Sequence, residues 1–202
     1  MNPQKQTMTY NTSTGPVRRN ARMERANLND IVRAAAGSFA RHLAKDTETR
    51  LQLAEDGLHL MADKSQMEEA IVHLLRNAAE AMPEGGILTI GTTLACLQNN
   101  SVSLIENLFL GGCALLSVAD TGPGIDKTNM QKIFDPAYTT KPGASQGLGL
   151  STAHNIIRNH NGCINIQSIL GKGTTVKVYL PLLRTVVGQE GPPFSDQPFR
   201  KS

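Results

Sequence analysis

The sequence predicts an α/β fold in two layers, in which helices cover one face of a mixed β-sheet. First, segments with apolar residues at helical spacing alternate along the chain with short runs of strand length. Second, the last two strand-like runs, Cys163 to Ile169 and Thr174 to Leu180, are joined by Gly171-Lys172-Gly173, which predicts a hairpin. Helices and strands that alternate along the chain, with two adjacent strands at its end, favour an α/β sandwich of this kind.

Three segments have the apolar spacing of amphipathic helices. The first runs from Leu28 to Leu43, and the third spans Gly147 to His160. Asp63 to Met82 is the strongest, because Asp63 and Gln66 form a capping signature at its start and Pro83 to Gly86 ends it. Further strands are expected at Thr49 to Ala54, His59 to Ala62, Ile87 to Thr93 and Ala114 to Val118. The insert between the last two contains enough apolar residues for a short helix or a flap.

Composition indicates a single domain with polar ends. We expect the domain at residues 27–184, a flexible lead or the remnant of a linker helix at 1–26, and a flexible tail at 185–202.

The net charge is +3 without a basic stripe, so nucleic-acid binding is not expected. No apolar run reaches the roughly 18 residues of a membrane span, and no signal pattern begins the chain. Three cysteines without C-x-x-C spacing favour reduced thiols and a cytoplasmic location.

The strongest predicted helix places Asn77 at the boundary between an apolar face, which includes Leu74 and Ala78, and a polar face, which includes His73 and Glu80. Asparagine is a poor helix former, so its position in mid-helix needs an explanation. Its side-chain oxygen is a ligand that suits Mg²⁺. Considered alone, Asn77 is more readily interpreted as an ordinary residue of the helix surface than as a metal ligand. For His73, a place on the solvated face and a functional role are equally reasonable interpretations.

A second motif, Asp120-Thr-Gly-Pro-Gly-Ile125, follows an apolar strand. Two glycines around a proline make a tight turn with little side-chain bulk, so a flat ring can approach the backbone closely. The Asp120 carboxylate can accept a hydrogen bond from the exocyclic amino group of adenine, which guanine does not offer at that position. A plain turn that closes a strand is the alternative for this motif alone.

A third motif lies between Phe134 and Leu150. Gly147 and Gly149 open a predicted helix, and the N–H groups at a helix N-terminus bind phosphate well. Lys141, in the flexible stretch before them, could add a mobile cation. Simple turn chemistry and a solvated lysine are the alternatives for these residues taken singly.

In their order and spacing, these segments resemble the ATP-binding domain of bacterial sensor histidine kinases, within the superfamily shared with DNA gyrase B, Hsp90 and MutL. The resemblance covers about residues 27–181 and implies a Bergerat-type ATP-binding fold. Its motifs are Leu74 to Met82 (N box), Asp120 to Ile125 (first glycine box), Phe134 to Lys141 (F box), Gly147 to Ser151 (second glycine box) and Gly171 to Pro181 (closing box). Asn77-Ala-x-Glu-Ala-Met82 and the long insert before Asp120 resemble the nitrogen-regulation type.

The resemblance implies that these motifs bind ATP together with Mg²⁺. Asn77 is implied to coordinate Mg²⁺ and, with His73, to act in catalysis. Asp120 is implied to bind the adenine amino group, and Thr174 to help close the adenine pocket. The other implied nucleotide-binding residues are Gly122, Gly124, Ile125, Tyr138, Thr139, Lys141, Gly147, Leu148 and Gly149.

Several positions depart from the family pattern. His73 stands where the family usually has Asn, and Glu80 stands where many members have Lys. Ala137 replaces the first aromatic residue of the F box, and Ser145-Gln146 replaces Gly-Thr. Weak or conditional activity is therefore one expectation.

The resemblance also implies that the phosphate acceptor is a histidine on a two-helix hairpin that precedes this kind of domain. Residues 1–26 contain no His, His42 and His59 lack the acceptor pattern, and His154 and His160 are expected to be structural. We therefore expect transfer of the ATP γ-phosphate to a separate or removed acceptor domain, which then serves a response regulator.

No nucleic acid, no direct membrane contact and a monomeric state are expected for this piece. The alternatives are a nucleotide-dependent module of the same superfamily, either an anti-sigma-type Ser/Thr kinase or a degenerate ATP sensor, and a binding domain that has lost its nucleotide.

Overall fold

The computed structural model describes residues 6–10, 21–95, 112–135 and 147–183. The strands are β1 (Gln6–Tyr10), β2 (Glu24–Asn27), β3 (Thr47–Gln52), β4 (His59–Ala62), β5 (Gly86–Ala95), β6 (Cys113–Asp120), β7 (Cys163–Ile169) and β8 (Gly173–Pro181). The helices are α1 (Leu28–Phe39), α2 (Lys64–Glu80), the one-turn α3 (Lys127–Met130) and α4 (Gly149–Asn159), with a 3₁₀ turn at Ala40–His42.

Six strands form a mixed sheet in the order β1-β7-β8-β6-β5-β3. Strand β3 pairs with β5 in parallel, and the other neighbours are antiparallel. Strands β2 and β4 form a separate antiparallel pair. The predicted α/β sandwich with a mixed sheet is confirmed, as is the hairpin of β7 and β8, which closes with Ile169 opposite Gly173.

One hydrophobic core joins the helices to the sheet. Helix α2 lies in the middle, because it packs against both α1 and α4. The largest fully buried side chains come from the helices and from alternate positions of the strands, and they include Leu28, Ile71, Leu74, Leu75, Leu88, Ile90, Leu116, Ile157 and Ile164. Each such side chain contributes on the order of 1.5–3 kcal/mol by its removal from water. The core thereby holds α2 and α4 side by side over the sheet.

Helix α2 begins where its capping signature predicts. Asp63 Oδ1 accepts a hydrogen bond from the Gln66 backbone N–H at 3.1 Å, and the Gln66 side-chain amide donates to Asp63 Oδ2 at 3.2 Å. The Gln66 backbone bond holds the pKa of the Asp63 carboxyl below its ordinary value, and the Arg22 backbone N–H adds to this effect. The cap fixes the start of the helix that later carries Asn77.

His160 ties the end of α4 to the start of α2. Its Nε2 accepts the Asp63 backbone N–H at 3.0 Å, so the ring proton is on Nδ1, which donates to the Ile156 carbonyl at 2.8 Å. The ring is 2% exposed. These contacts agree with the structural role expected for His160.

The polar lead contains two strands that its sequence pattern does not indicate. Strand β1 extends the sheet beside β7, from Gln6 opposite Ser168 to Tyr10 opposite Ile164. Backbone pairing at a sheet edge needs no apolar period, so the expectation of a flexible lead or a linker helix over residues 1–26 misses β1 and β2. The domain boundaries at 26 and 184 remain predictions.

Strand β3 begins and ends two residues before the predicted strand. It lies at the other edge of the sheet and is largely exposed. Its sequence therefore has no pattern of buried apolar residues that would mark where the strand begins and ends. The predicted helix or flap of the insert, and the tail at 185–202, lie outside the described residues. Within the described ranges, every helix is too short or too polar to cross a membrane.

Candidate functional site

A cavity of about 460 Å³ lies between α2, the loop after β6, the start of α4 and the inner side of β7 and β8. It brings together these residues of the predicted site: Asn77, Asp120, Gly124, Ile125, Gly147, Gly149 and Thr174. Leu74, Ile133, Leu150, Ile166 and Val176 supply much of its apolar wall. A cavity of this size with a few polar groups suits a small ligand.

The remaining predicted residues have other positions. His73, Gly122 and Leu148 adjoin the cavity but do not line it. Tyr138, Thr139 and Lys141 lie outside the described residues, as do Ala137 and Ser145-Gln146. Glu80, which the sequence marked as a departure, is in the lining.

Asp120 is held at one end of the cavity by backbone groups. Its Oδ1 accepts the Gly122 N–H at 2.9 Å and the Thr174 N–H at 3.2 Å. One carboxylate oxygen therefore joins the loop after β6 to the beginning of β8. Because both donors belong to the main chain, the carboxylate has little freedom to turn, which leaves it preorganised toward a ligand.

Gly124 allows this loop to lie directly on the β7–β8 turn. Its φ is +74°, and a Cβ there would collide with the Ile169 carbonyl. Gly171 N–H donates to Pro123 O at 2.7 Å across the same contact. At Gly122, whose nucleotide-binding role remains a prediction, a Cβ would lie 2.8 Å from Ala81 O, at the end of α2. The missing side chain therefore lets the loop lie close to that helix.

Ser168 belongs to this end of the site, although the sequence reasoning did not select it. Its Oγ accepts the Ile125 N–H at 2.8 Å and lies 3.0 Å from Thr174 Oγ1. On β7 it continues the inward row of Ile164 and Ile166, both buried. A polar residue at an inward position of a strand was the available signal.

Asn77 and Glu80 enter the cavity from α2. A Cβ built on Gly149 would lie 3.4 Å from Asn77 Oδ1 and 3.4 Å from His73 Nδ1. Both polar atoms therefore border the same small space at the start of α4, which the absence of a side chain at residue 149 leaves open. This space marks the second end of the cavity.

His73 contributes a neutral ring beside that space. Burial lowers its pKa, and the Arg76 charge lowers it further, while Glu69 acts in the opposite direction. Glu69 Oε1 lies 3.8 Å from His73 Nε2, so the carboxylate favours the tautomer with its proton on Nε2. Within the part of the chain that the structure describes, Nδ1 is buried without a hydrogen-bond partner. It thus presents a lone pair, which suits a cation or a donor group and not a phosphate oxygen.

Helix α4 begins with its N–H groups uncapped by any side chain of the described residues. Gly147 and Gly149 both line the cavity, and Gly147 has a φ of +69°. Leu148 between them is 44% exposed, so its side chain is not part of the wall. An uncapped N-terminus of an 11-residue helix offers its partial positive charge and its N–H groups to an anion.

Phe134 and His154 pack behind this end of the cavity. Their ring centroids are 5.0 Å apart at an angle of 50°. Burial lowers the pKa of His154, and the charge of Arg158 lowers it further. The contact attaches the beginning of the 134–150 segment to α4, and it gives His154 the structural role that the sequence suggested.

Comparison with protein families agrees with this arrangement. The model described as "Histidine kinase-, DNA gyrase B-, and HSP90-like ATPase" matches residues 62–184. The sensor kinase CckA of Brucella abortus is 36% identical over 167 residues, which are 82% of this chain and 18% of that protein. The sensor histidine kinase ZraS of Escherichia coli is 33% identical over 141 residues, which are 69% of this chain and 27% of that protein. This chain therefore spans less than a third of either relative.

Solved structures share the fold. The catalytic domain of the histidine kinase ThkA aligns with a TM-score of 0.63 at 25% identity, over 79% of this chain and 95% of that one. Full-length ShkA in complex with AMPPNP aligns with a TM-score of 0.65 at 19% identity, over 81% of this chain and 32% of that one. The sheet, the helices and their order thus match the ATPase domain of histidine kinases.

Proposed function

This chain belongs to the histidine kinase-, DNA gyrase B- and HSP90-like ATPase family, and we propose that it is the ATP-binding catalytic domain of a two-component sensor histidine kinase. It transfers the γ-phosphate of ATP to a histidine on a separate or removed acceptor domain. The observation that carries this proposal is Asp120, whose Oδ1 is held by two backbone N–H groups at the wall of the cavity. An acceptor fixed in this way suits the amino group of adenine.

The base occupies the end of the cavity near β8. Oδ1 of Asp120 holds the loop, and we assign the contact with the adenine amino group to Oδ2. Gly124 brings the main chain close to the ring, while Ile166 and Val176 offer apolar contact with it. Guanine presents a carbonyl oxygen where adenine presents its amino group, so the Asp120 carboxylate rejects it.

The phosphates extend toward the start of α4. Gly147, Leu148 and Gly149 offer backbone N–H groups there, with the helix dipole behind them. Glu80 in the lining adds a negative charge to the same cavity. Binding of the triphosphate therefore depends on the helix N-terminus and on a cation.

The described residues fit Mg²⁺ bound in the manner typical of nucleotide sites. No three His, Cys, Asp or Glu side chains of the described ranges come together as metal ligands. We assign the protein's oxygen ligand to Asn77 Oδ1, because this atom borders the open space at the start of α4. The buried lone pair of His73 Nδ1 borders the same space and gives it a second cation-facing atom. When bound, Mg²⁺ neutralises charge on the phosphate oxygens.

The transfer step needs an acceptor from outside the described residues. A nitrogen lone pair of the acceptor imidazole forms the new N–P bond while the bond from phosphorus to the ADP oxygen breaks. This domain holds ATP in position for that in-line step.

The phosphoacceptor domain and a response regulator are the protein partners. This part of the protein is a monomer, and the reaction takes place in the cytoplasm. We assign the nitrogen-regulation-like subtype on Asn77-Ala-x-Glu-Ala-Met82.

A degenerate ATP-sensing module is the second candidate. It is favoured by His73 in place of an Asn and by Glu80 in the cavity lining. Such a module binds ATP without transferring its phosphate. The two candidates therefore differ in transfer and agree on nucleotide binding.

Titration calorimetry with ATP, with and without MgCl₂, tests binding first. We expect binding that Mg²⁺ strengthens in the wild type, and roughly tenfold less strengthening in Asn77→Ala because an oxygen ligand is lost. Incubation with radiolabelled ATP and a purified acceptor hairpin then tests transfer, for which acid-labile phosphate on the hairpin is expected. Binding without transfer would favour the sensor, and an absence of ATP binding would overturn both candidates.

A further inference from the structure

One ring nitrogen of His73 faces the space between α2 and the start of α4. Its Nδ1 is buried, and no group of the described residues donates a hydrogen bond to it. Glu69 Oε1 lies 3.8 Å from the other ring nitrogen, Nε2, and favours the tautomer in which Nε2 carries the proton. Nδ1 is then an acceptor only. A buried acceptor of this kind is stabilised by a cation or by a hydrogen-bond donor that arrives with a ligand.

Asn77 Oδ1 borders the same space. A Cβ built on Gly149 would lie 3.4 Å from Asn77 Oδ1 and 3.4 Å from His73 Nδ1. The two side chains are four residues apart on α2, so they lie one above the other on one face of the helix. Because residue 149 has no side chain, an amide oxygen and an imidazole nitrogen are both open to one cation in this space.

Glu69 completes an arrangement that is typical of metal-bound histidines. A histidine that binds a metal through one ring nitrogen generally donates its other N–H to a carboxylate or a carbonyl, which fixes the ring and increases its basicity. Glu69 precedes His73 by one turn of α2, and its carboxylate is on the Nε2 side of the ring. The Nδ1 side of the ring is therefore the one that is free for a metal.

An oxygen and a nitrogen together favour different divalent ions from two oxygens. Mg²⁺ is a hard cation that prefers oxygen ligands. At sites that contain nitrogen, affinity generally rises from Mn²⁺ through Co²⁺ to Ni²⁺, and imidazole is a common ligand of such transition metals. A histidine nitrogen beside Asn77 Oδ1 therefore gives a transition-metal ion an advantage over Mg²⁺ at this position.

We propose that His73 Nδ1 is a metal ligand beside Asn77 Oδ1 and makes this site selective for a divalent transition-metal ion, such as Mn²⁺ or Co²⁺, over Mg²⁺. The ion enters together with the nucleotide, and phosphate oxygens and waters supply its remaining ligands. Mg²⁺ still binds there, through oxygen ligands alone. The inference rests on the proposed nucleotide function and adds to it a residue that determines the identity of the metal ion.

Calorimetry on the full chain measures this selectivity with AMPPCP, a non-hydrolysable analogue of ATP, in an excess of MgCl₂, MnCl₂ or CoCl₂. We expect the wild type to bind AMPPCP at least about tenfold more tightly with Co²⁺ than with Mg²⁺, and with Mn²⁺ at an intermediate affinity. In His73→Asn, which offers an amide oxygen in place of the nitrogen, the ratio of the Co²⁺ and Mg²⁺ affinities should fall toward one. Loss of packing alone would weaken binding equally with every ion and leave the ratio unchanged.

His42→Asn is the matched control for that variant. His42 is exposed in the 3₁₀ turn after α1, where its ring stacks on Phe39 with the centroids 5.5 Å apart. The same replacement of an imidazole by an amide should therefore leave the wild-type ratio of affinities unaltered.

Pulsed EPR of the Mn²⁺ complex detects the ligand directly and does not depend on affinity. The histidines are labelled with ¹⁵N and AMPPCP is unlabelled, so a ¹⁵N coupling to Mn²⁺ identifies a histidine of the protein as a ligand. We expect this coupling in the wild type and in His42→Asn, and its loss in His73→Asn. Since the wild type alone shows or lacks the coupling, the inference can be refuted even if His73→Asn does not fold.

A wild-type complex without ¹⁵N coupling would overturn the inference and leave the proposed function intact, because the contact of Asp120 with the base does not depend on the metal ion. Equal ratios of the Co²⁺ and Mg²⁺ affinities in the wild type and in His73→Asn would overturn it as well. Failure of the wild type to bind AMPPCP with any of the three ions would remove the proposed function and the inference together.

Discussion

The two ends of the cavity are built differently. At the end that we assign to the base (the base end), Asp120, Ser168 and Thr174 are tied by hydrogen bonds of 2.8 to 3.2 Å, most of them to the main chain. At the opposite end, which we assign to the phosphates (the phosphate end), His73 Nδ1 is buried without a partner among the described residues, and no side chain of those residues caps α4. The base end is therefore organised before a ligand arrives, while the phosphate end has groups that a ligand and its cation must satisfy.

This difference suits the two tasks that we propose for the site. Selection of a base improves when its partners are already fixed, because binding then loses less conformational freedom. Phosphate transfer needs an end that admits an acceptor and completes its contacts on binding. A buried unpaired acceptor such as His73 Nδ1 costs on the order of 1–3 kcal/mol, which a bound cation can offset.

The largest expected effect is at the organised end. In Asp120→Asn the amide keeps an oxygen for the Gly122 and Thr174 N–H groups but turns an NH₂ toward the adenine amino group. Two donors then face each other, and we expect ATP affinity to fall roughly 100-fold or more in calorimetry. Asp56→Asn, on an exposed loop position, is the control and should bind like the wild type. Unchanged affinity in Asp120→Asn would show that Asp120 does not bind the base.

At the phosphate end, we expect Gly149→Ala to increase the stability of the fold and to weaken the binding of Mg·ATP. The methyl group of Gly149→Ala would lie 3.4 Å from both Asn77 Oδ1 and His73 Nδ1 and would fill the space assigned to the cation and phosphate. We expect roughly tenfold weaker binding of Mg·ATP, with adenosine binding unchanged. Because alanine favours a helix, the free energy of unfolding should rise by up to about 1 kcal/mol.

Gly37→Ala is the matched control for that change. Gly37 also lies within a helix, α1, and a Cβ there meets no atom within 4 Å. The variant should raise the melting temperature and leave Mg·ATP affinity unaltered. If Gly149→Ala behaves in the same way, the space beside Asn77 is not where the phosphates bind.

The smallest expected effect concerns the packing behind the phosphate end. Burial holds the pKa of His154 below its ordinary value of 6.5. As the pH falls below about 6.5, the unfolded chain takes up a proton that folded His154 resists, so stability present above that pH is lost. Since the ring is partly exposed, the loss is well under about 1 kcal/mol.

Urea denaturation at pH 7 and pH 5.5 measures this effect. In His154→Gln, which stays neutral at both values, the difference in the free energy of unfolding between the two pH values should shrink. Any loss of contact with Phe134 lowers stability equally at both. A difference as large as that of the wild type would mean that His154 does not contribute to the pH dependence.

Local signals explain which features the sequence could predict. Helix α2 has an apolar face of nearly five turns and a capping residue, and both depend on neighbours along the chain. Asp120 and Gly149 were found because their motifs have a fixed order and spacing. Strand β1 was missed because its partner, β7, is more than 150 residues away and pairing uses the main chain alone.

The α/β class, the helix that carries Asn77 and the motifs that meet around the cavity follow from the amino-acid sequence, because hydrophobic period, capping and turn chemistry act between near neighbours. The contacts of Ser168 with Ile125, Gly173 and Thr174, and the burial of His73 Nδ1 opposite Gly149, arise only when the chain has folded. The register of β7 on β8 sets the partners of Ser168, and the packing of α2 on α4 sets the surroundings of His73. No pattern within either segment specifies them.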